Sequence, residues 1–320
     1  VVPAYGRHAI LIRTALEGVA TRATWLMAGA LVAGVIFQPV AAFFRPWILY
    51  AIVVILAVAM VQLDTERLRR YARRPVLIAA ITVVNIVAAP VFAWLVVTPL
   101  GLPPGLEQGL ILIAAAPMVS SAIAIAAILG LDAALGVAVL VVSYALVPLT
   151  LPALALWLLG LDLNVGFFDL FIRLFSTIAI AAGLAVAIRI WLVPRATLVR
   201  NGRAIDGLGV LFVVVFCLGI VDGLQAFAIE RPHYVLLTLA ATFALNIGLQ
   251  IFGALLFLRM GRREALTVGL ITGNTNLGLV LVTLADTAPP ELLLCFVLGQ
   301  VPMYFLPVVA LPVYRRLMRT

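Results

Sequence analysis

Apolar windows about as long as a bilayer's hydrocarbon core is thick follow one another along the chain, separated by short clusters of arginine, proline and glycine. About 20 helical residues, rising 1.5 Å each, cross that core. The windows fall near residues 23–44, 47–63, 76–98, 106–130, 133–159, 168–193, 206–228, 233–258, 264–285 and 290–314. The expected architecture is an all-α polytopic membrane protein with ten transmembrane helices. Composition agrees, with 65% of the 320 residues hydrophobic and 11% charged. A soluble domain carries about 25% charged residues, so a water-soluble enzyme is excluded: too little polar surface exists to cover it.

The charge pattern adds an orientation. The net charge is +8, and all 21 basic residues are arginine. In alternate loops, 18 of them fall on one side, and the other side holds only Arg45, Arg173 and Arg231. The arginine-rich side is expected to be cytoplasmic, with both termini inside, in a plasma (bacterial inner) membrane. This accounts for the basic charge as a topology signal and leaves nucleic acid out of the expected partners, which are a small-molecule solute and membrane lipid. The arginine loop 66–74 is also suited to anionic headgroups. Residues 1–22 are expected to form a cytoplasmic N-terminal segment along the inner interface.

Two halves repeat. Ser120-Ser121 aligns with Thr275-Asn276, Leu151-Pro152 with Leu306-Pro307, and the Leu131-Asp132 break with Asp286-Thr287. At another offset Asn85-Ile86 pairs with Asn246-Ile247. Five helices per half is an odd number, so residues 23–160 and 161–320 are expected to form inverted repeats, an arrangement typical of secondary transporters with a site at the midplane.

Polar residues inside apolar windows mark where that site would lie, because each is costly in hydrocarbon unless paired or wet. In the fourth window, Pro117 lacks an N–H and disfavours helix at the residue before it, just ahead of Ser120 and Ser121. In the ninth, Gly269 to Gly278 encloses Thr272, Asn274, Thr275 and Asn276 and makes a poor continuous helix. Both helices are expected to unwind, exposing carbonyls to a cation and half-helix N-termini to an anion. Ser120, Ser121, Asn274, Thr275, Asn276, Asn85 and Asn246 are the candidate solute-binding residues. Asn85, Asn274, Thr275, Gln300 and Asp222 are candidates for a coupling cation or proton, and Gln250 is a weaker polar candidate. Tight packing through small residues with cross-helix hydrogen bonds is the competing reading of the same clusters. Cys217 and Cys295 read as small buried hydrophobes. No metal cluster, catalytic triad or Gly-rich phosphate loop can be assembled, so neither an enzyme nor an ATP-driven machine is expected.

These segments resemble the bile acid:sodium symporter family. Ala116-Pro117 through the Ser143 to Pro152 stretch looks like its first crossover helix and the proline-bearing helix after it. Ala265-Leu266-Thr267 through Asn274 to Leu277 looks like the second crossover. Asn85 with Pro90 and Trp94, and Leu245-Asn246 with Gly253, fit the third and eighth helices. The resemblance implies a panel of helices one, two, six and seven, and a core of the rest. Helices four and nine would cross in the core, with solute between core and panel. It also implies sodium ligands, but the family's Ser and Asn positions fall on Ala122 and Ile123, and fifth-helix hydroxyls fall on Gly136 and Leu140. Its shared glutamate falls on Gly269, its ninth-helix glutamine on Gly273, and its third-helix glutamine on Asn85. The expectation is a secondary active transporter of a small organic anion, working by alternating access, without sodium coupling of the family type. A sodium-independent carrier, proton-coupled or facilitative, and a non-transporting sensor with this fold are the alternatives. No cofactor is expected beyond Na+ as a candidate coupling ion.

Overall fold

A computed structural model describes residues 4–63, 71, 73–159, 166–284 and 288–319. Asp286 and most of the 66–74 loop lie outside the described residues. In chain order the helices are α1 (Ala4–Thr21), α2 (Ala23–Ile36), α3 (Gln38–Phe44), α4 (Ile48–Val61), α5 (Pro75–Val83), α6 (Ala89–Val97), α7 (Pro104–Ala115), α8 (Ser121–Ile128) and α9 (Ala133–Leu159). They continue with α10 (Phe167–Ala187), α11 (Arg195–Arg200), α12 (Gly202–Ile220), α13 (Leu224–Glu230), α14 (Pro232–Leu256), α15 (Arg262–Gly273), α16 (Leu277–Leu284), α17 (Pro290–Val309) and α18 (Leu311–Arg319). Pro75, Pro104, Pro232 and Pro290 each open a helix, where the missing N–H has no partner to lose and φ is already helical.

Among the described residues, seven helical stretches are long and apolar enough to cross a membrane: Gln38–Val61, Pro75–Leu100, Ala133–Leu158, Phe167–Leu192, Gly202–Ile220, Pro232–Leu256 and Pro290–Pro307. The chain is thus an all-helical polytopic membrane protein. Trp25, Trp157 and Trp191 are each more than 70% exposed, an exposure that suits lipid far better than water.

Several boundaries differ from those expected from the apolar windows. The 23–44 window breaks at Phe37, because Pro39 follows and Gln38 turns its amide back onto Gly34 O and Val35 O. Its second part joins the next window through a short 3-10 turn to make the Gln38–Val61 stretch. The 206–228 window ends at Ile220, where Gly223 takes a φ of 79°. The 290–314 window divides into α17 and the short α18.

The chain clusters into two compact units, one of Val1–Leu63 with Ser176–Glu230 and one of Asp64–Phe175 with Arg231–Thr320. In the first, α12 is the central helix, packed against α1, α2, α3 and α4. Glycine permits this: a Cβ on Gly219 would lie 2.8 Å from Phe44 O. The expected N-terminal segment is helical, and α1 packs on α12. Between α2 and the second part of α1 the chain turns by 78°.

In the second unit, α14 lies along α15, and α17 packs on both α7 and α14. Gly253, Gly269 and Gly273 form the α14–α15 seam. A Cβ on Gly269 would come within 2.4 Å of Gln250 O. Between α5 and α6 the helix widens into a single π turn, Val84–Ala88. The cause is local, since Pro90 has no N–H to give Ile86 O, and the turn before it relaxes to the wider register. Asn85 sits in that turn, wholly buried.

Candidate functional site

The second unit contains two interrupted helices, α7/α8 and α15/α16, and their interruptions pair with each other. At the first, Ala116 swings to an extended conformation (φ −67°, ψ 146°) ahead of Pro117, as the residue before proline prefers. At the second, Asn274 is extended (φ −108°, ψ 90°). The two extended pieces run antiparallel. Val119 N donates to Asn274 O at 2.9 Å, Asn276 N donates to Pro117 O at 2.6 Å, and Met118 and Thr275 face one another. Broken backbone within a membrane is tolerated only where its groups are satisfied, and each interruption supplies partners to the other.

Side chains complete the work. Pro117 has no N–H for Ile113 O, and Thr275 Oγ1 donates to that carbonyl at 2.8 Å. The last carbonyls of α15 are taken by three amides. Asn274 Nδ2 donates to Leu270 O at 2.7 Å, Asn85 Nδ2 to Ile271 O at 3.2 Å, and Asn246 Nδ2 to Gly273 O at 2.6 Å. Asn276 caps α16, its Oδ1 accepting from Leu279 N at 3.1 Å, while its Nδ2 donates to Tyr144 Oη at 2.6 Å.

This arrangement determines what remains for a ligand. The amide donors of Asn85 and Asn274 are engaged with backbone, while their Oδ1 atoms are buried without a hydrogen-bond partner. The hydroxyl of Ser121, at the start of α8, is likewise buried and unpartnered, as is Gln300 Oε1 on α17. Ser120 and Asn276 are half-buried at the rim. A narrow pocket beside the crossing is lined by Ile113, Thr242, Asn246, Gly273, Thr275 and Leu277, among others. Leaving a polar group unpaired costs about 1–3 kcal/mol, so each of these atoms carries a cost that a hydrogen-bond partner would relieve.

Of the residues singled out in the sequence, Asn85, Asn246, Asn274, Thr275, Asn276, Ser120 and Ser121 therefore lie at or beside the paired breaks. Asn246 has both ends of its amide engaged, because its Oδ1 accepts from Gln250 Nε2 at 2.6 Å. Asp222 belongs to the first unit, where it pairs with Arg45 at 3.0 Å. Asp132 caps α9 through Ala134 N and Leu135 N. It also accepts a short hydrogen bond from Tyr71 Oη. Burial, and then the Asp132 partner and its charge, push the Tyr71 phenol up to about 12. Cys217 and Cys295 are buried free thiols. Sequence reasoning passed over Tyr144 and Tyr314. The first hydrogen-bonds Asn276, and the second donates to Gln250 Oε1 at 2.7 Å. Ser143 precedes Tyr144 and Arg315 follows Tyr314, but neither neighbour points to the distant hydrogen-bond partner.

The positions where the resemblance put sodium ligands can be examined on their packing. Ala122 is wholly buried. A side chain on Gly273 would begin 2.4 Å from Gln250 Cγ and 2.8 Å from Asn246 O. With Gly269 equally close to Gln250 O, the α14–α15 seam has no room for a glutamate or glutamine. Among the described residues, the hydrogen-bonded carboxylates Glu17, Glu107, Asp132, Asp222 and Glu291 have their partners away from the paired breaks.

Comparison with curated proteins finds no match. The family model described as the sodium bile acid symporter family matches residues 49–230, which include α7 and α8 and end before α15.

Proposed function

The chain belongs to the sodium bile acid symporter family and is a membrane transporter of that type, and from this premise we propose that it carries a small organic anion by alternating access at the α7/α8–α15/α16 crossing. The reading keeps the expected frame of ten helices in two inverted repeats, with α7/α8 and α15/α16 as the broken fourth and ninth members. The observation that carries it is the set of unpartnered polar atoms, Asn85 Oδ1, Asn274 Oδ1 and Ser121 Oγ, buried at two interlocked helix breaks. The amide donors of Asn85 and Asn274 serve the α15 carbonyls, while their oxygens bear a desolvation cost that a hydrogen-bond donor on a solute would relieve.

The chemistry of the remainder narrows the solute. The Ser121 hydroxyl stands at the first turn of α8, where the helix dipole favours negative charge. The two amide oxygens accept hydrogen bonds and carry no charge. A carboxylate that also bears hydroxyl groups suits both kinds of partner. Because Asn85 and Asn274 are wholly buried, entry requires the unit to open, and closure around the solute is the alternating step. Asn246 acts as a holder of the Gly273 carbonyl, since its amide has no free end.

Coupling is proposed to proceed without the family's carboxylate, for which Gly269 leaves no space. A second reading is favoured by the same two amide oxygens: they could contribute to a neutral Na+ site, with freed carbonyls as further ligands. One experiment separates these readings. Purified protein in liposomes is assayed for uptake of cholate and a panel of hydroxylated carboxylates, with sodium or choline outside. Uptake that is saturable and equal in the two salts supports the sodium-independent carrier. Sodium-dependent uptake selects the second reading, and saturable binding without flux selects a sensor.

A further inference from the structure

The short helix α18 is joined to the crossing by an unbroken line of side-chain hydrogen bonds. Tyr314 Oη donates to Gln250 Oε1 at 2.7 Å, Gln250 Nε2 to Asn246 Oδ1 at 2.6 Å, and Asn246 Nδ2 to Gly273 O at 2.6 Å. Gly273 is the last residue of α15, immediately before the break. The line has a direction, because each amide accepts on its oxygen and donates from its nitrogen. Removing the phenolic proton donor therefore loosens every later member, and hydrogen bonds in such chains reinforce one another.

The anchor is well seated. Tyr314 is only 7% exposed and packs in an apolar cluster with Ala126, Leu129, Leu131, Ala133 and Leu270. That cluster takes residues from α8, from the turn after it and from α15, so Tyr314 shares one apolar cluster with parts of both broken helices. The rest of α18 is amphipathic, with Arg315, Arg316, Val313 and Leu317 exposed. Burial raises the Tyr314 phenol above its ordinary value, so it remains a proton donor under physiological conditions.

We propose that α18 is a strap that fixes the geometry of the crossing, with Tyr314 and Gln250 as positioning residues acting through Asn246 on the Gly273 carbonyl. This deepens the transport reading, because the atoms being positioned are those of the solute site. With α18 seated, Gly273 O is held by Asn246 and the Asn274–Asn276 segment keeps its pairing with Pro117 and Val119. With α18 displaced, Gln250 and Asn246 lose their outer partner and the break loosens.

The test measures backbone exchange and needs no solute, so its failure is separable from failure of the transport reading. Hydrogen exchange is followed in detergent on the full chain, in peptides covering 116–121 and 273–278, for wild type, Tyr314→Phe, Gln250→Leu and the double variant. Tyr314→Phe keeps the ring in its cluster and removes only the hydroxyl. The expected result is exchange about five- to tenfold faster in both peptides, with α4 and α12 unchanged. The double variant should be no faster than Gln250→Leu alone, as required of members of one chain. Unchanged crossover exchange in Tyr314→Phe would overturn the strap, as would additive effects in the double variant. A uniform rise over the whole protein would also overturn it, reducing Tyr314 to a packing residue. Should Gln250→Leu fail to fold, Tyr314→Phe decides alone.

Discussion

The two broken helices reach the same geometry by opposite means. In α7/α8 the break is covalent in origin: Pro117 withholds one donor and forces Ala116 into an extended conformation, and the neighbours are alanine, methionine, valine and serine. In α15/α16 the break is held by side chains, with Asn274, Asn85 and Asn246 on the released carbonyls and Asn276 capping the next helix. A proline break stays broken whatever surrounds it, whereas an amide-held break depends on partners that can be exchanged. The second is therefore the adjustable one, and under the proposed function it is the break that a solute would move.

Mutations on the two sides should separate these roles. Asn274→Leu is expected to abolish uptake in the liposome assay while the protein remains folded, with a stability loss of about 0.5–1.5 kcal/mol from the lost side-chain hydrogen bond to Leu270 O, which keeps the backbone N of residue 274 as a donor. Ser121→Ala, on the proline side, should leave measurable uptake, reduced by about fivefold if one hydrogen bond of about 1 kcal/mol is lost. Equal loss in the two would break the comparison.

Glycine gives the next contrast. Gly269→Ala should destabilise by about 1–3 kcal/mol through overpacking against the α14 backbone, read from thermal unfolding in detergent. Gly136→Ala in α9, whose added Cβ meets Ile123 Cγ1 at 3.4 Å, should be neutral or stabilising by about 0.5–1 kcal/mol. Gly269→Glu, which supplies the carboxylate absent from this chain, is expected to unfold the seam and to confer no sodium-stimulated uptake.

A smaller effect follows from capping. Asn276→Ala should cost about 1–2 kcal/mol, and Tyr144→Phe about half that, because the Asn276 cap on Leu279 N survives. The smallest effect lies at the far end of the first broken helix. The Tyr71 phenol, held up to about 12 from an ordinary value of 10, favours the folded state while protonated. Its contribution is complete below pH 10 and disappears as pH rises through 12. Tyr71→Phe should flatten the decline of thermal stability over that interval and change nothing near neutrality.

Much of this was legible in the sequence where a single residue dictates the outcome. Pro117 announces its break, and four polar residues among three glycines announce the other. Long apolar windows identify the membrane class, and seven of the stretches emerged as continuous candidate spans. The break at Phe37 was equally announced by Pro39 and was obscured because both flanks are apolar. The partners of the buried amides were illegible for a different reason. Asn85 meets the carbonyl of a residue 186 positions away, and nothing local encodes that meeting. Gln250 illustrates the same limit, since its importance depends on Tyr314 in another helix. Polar residues in apolar windows show that a partner is required, and only the packing shows which.

The Thr275–Ile113 bond has a consequence for how the protein is made. Its ends are 162 residues apart, and synthesis proceeds at about 5–20 residues per second. For roughly 10–30 seconds after α7 emerges from the ribosome, Pro117 O lacks its Asn276 N donor and Ile113 O has only the long bond from Ala116 N at 3.4 Å. In hydrocarbon each such carbonyl is costly. The first broken helix therefore has to wait beside water, the insertion machinery or a neighbouring chain until the second arrives, and a ribosome stalled before Thr275 leaves a half-protein with an open seam in the membrane.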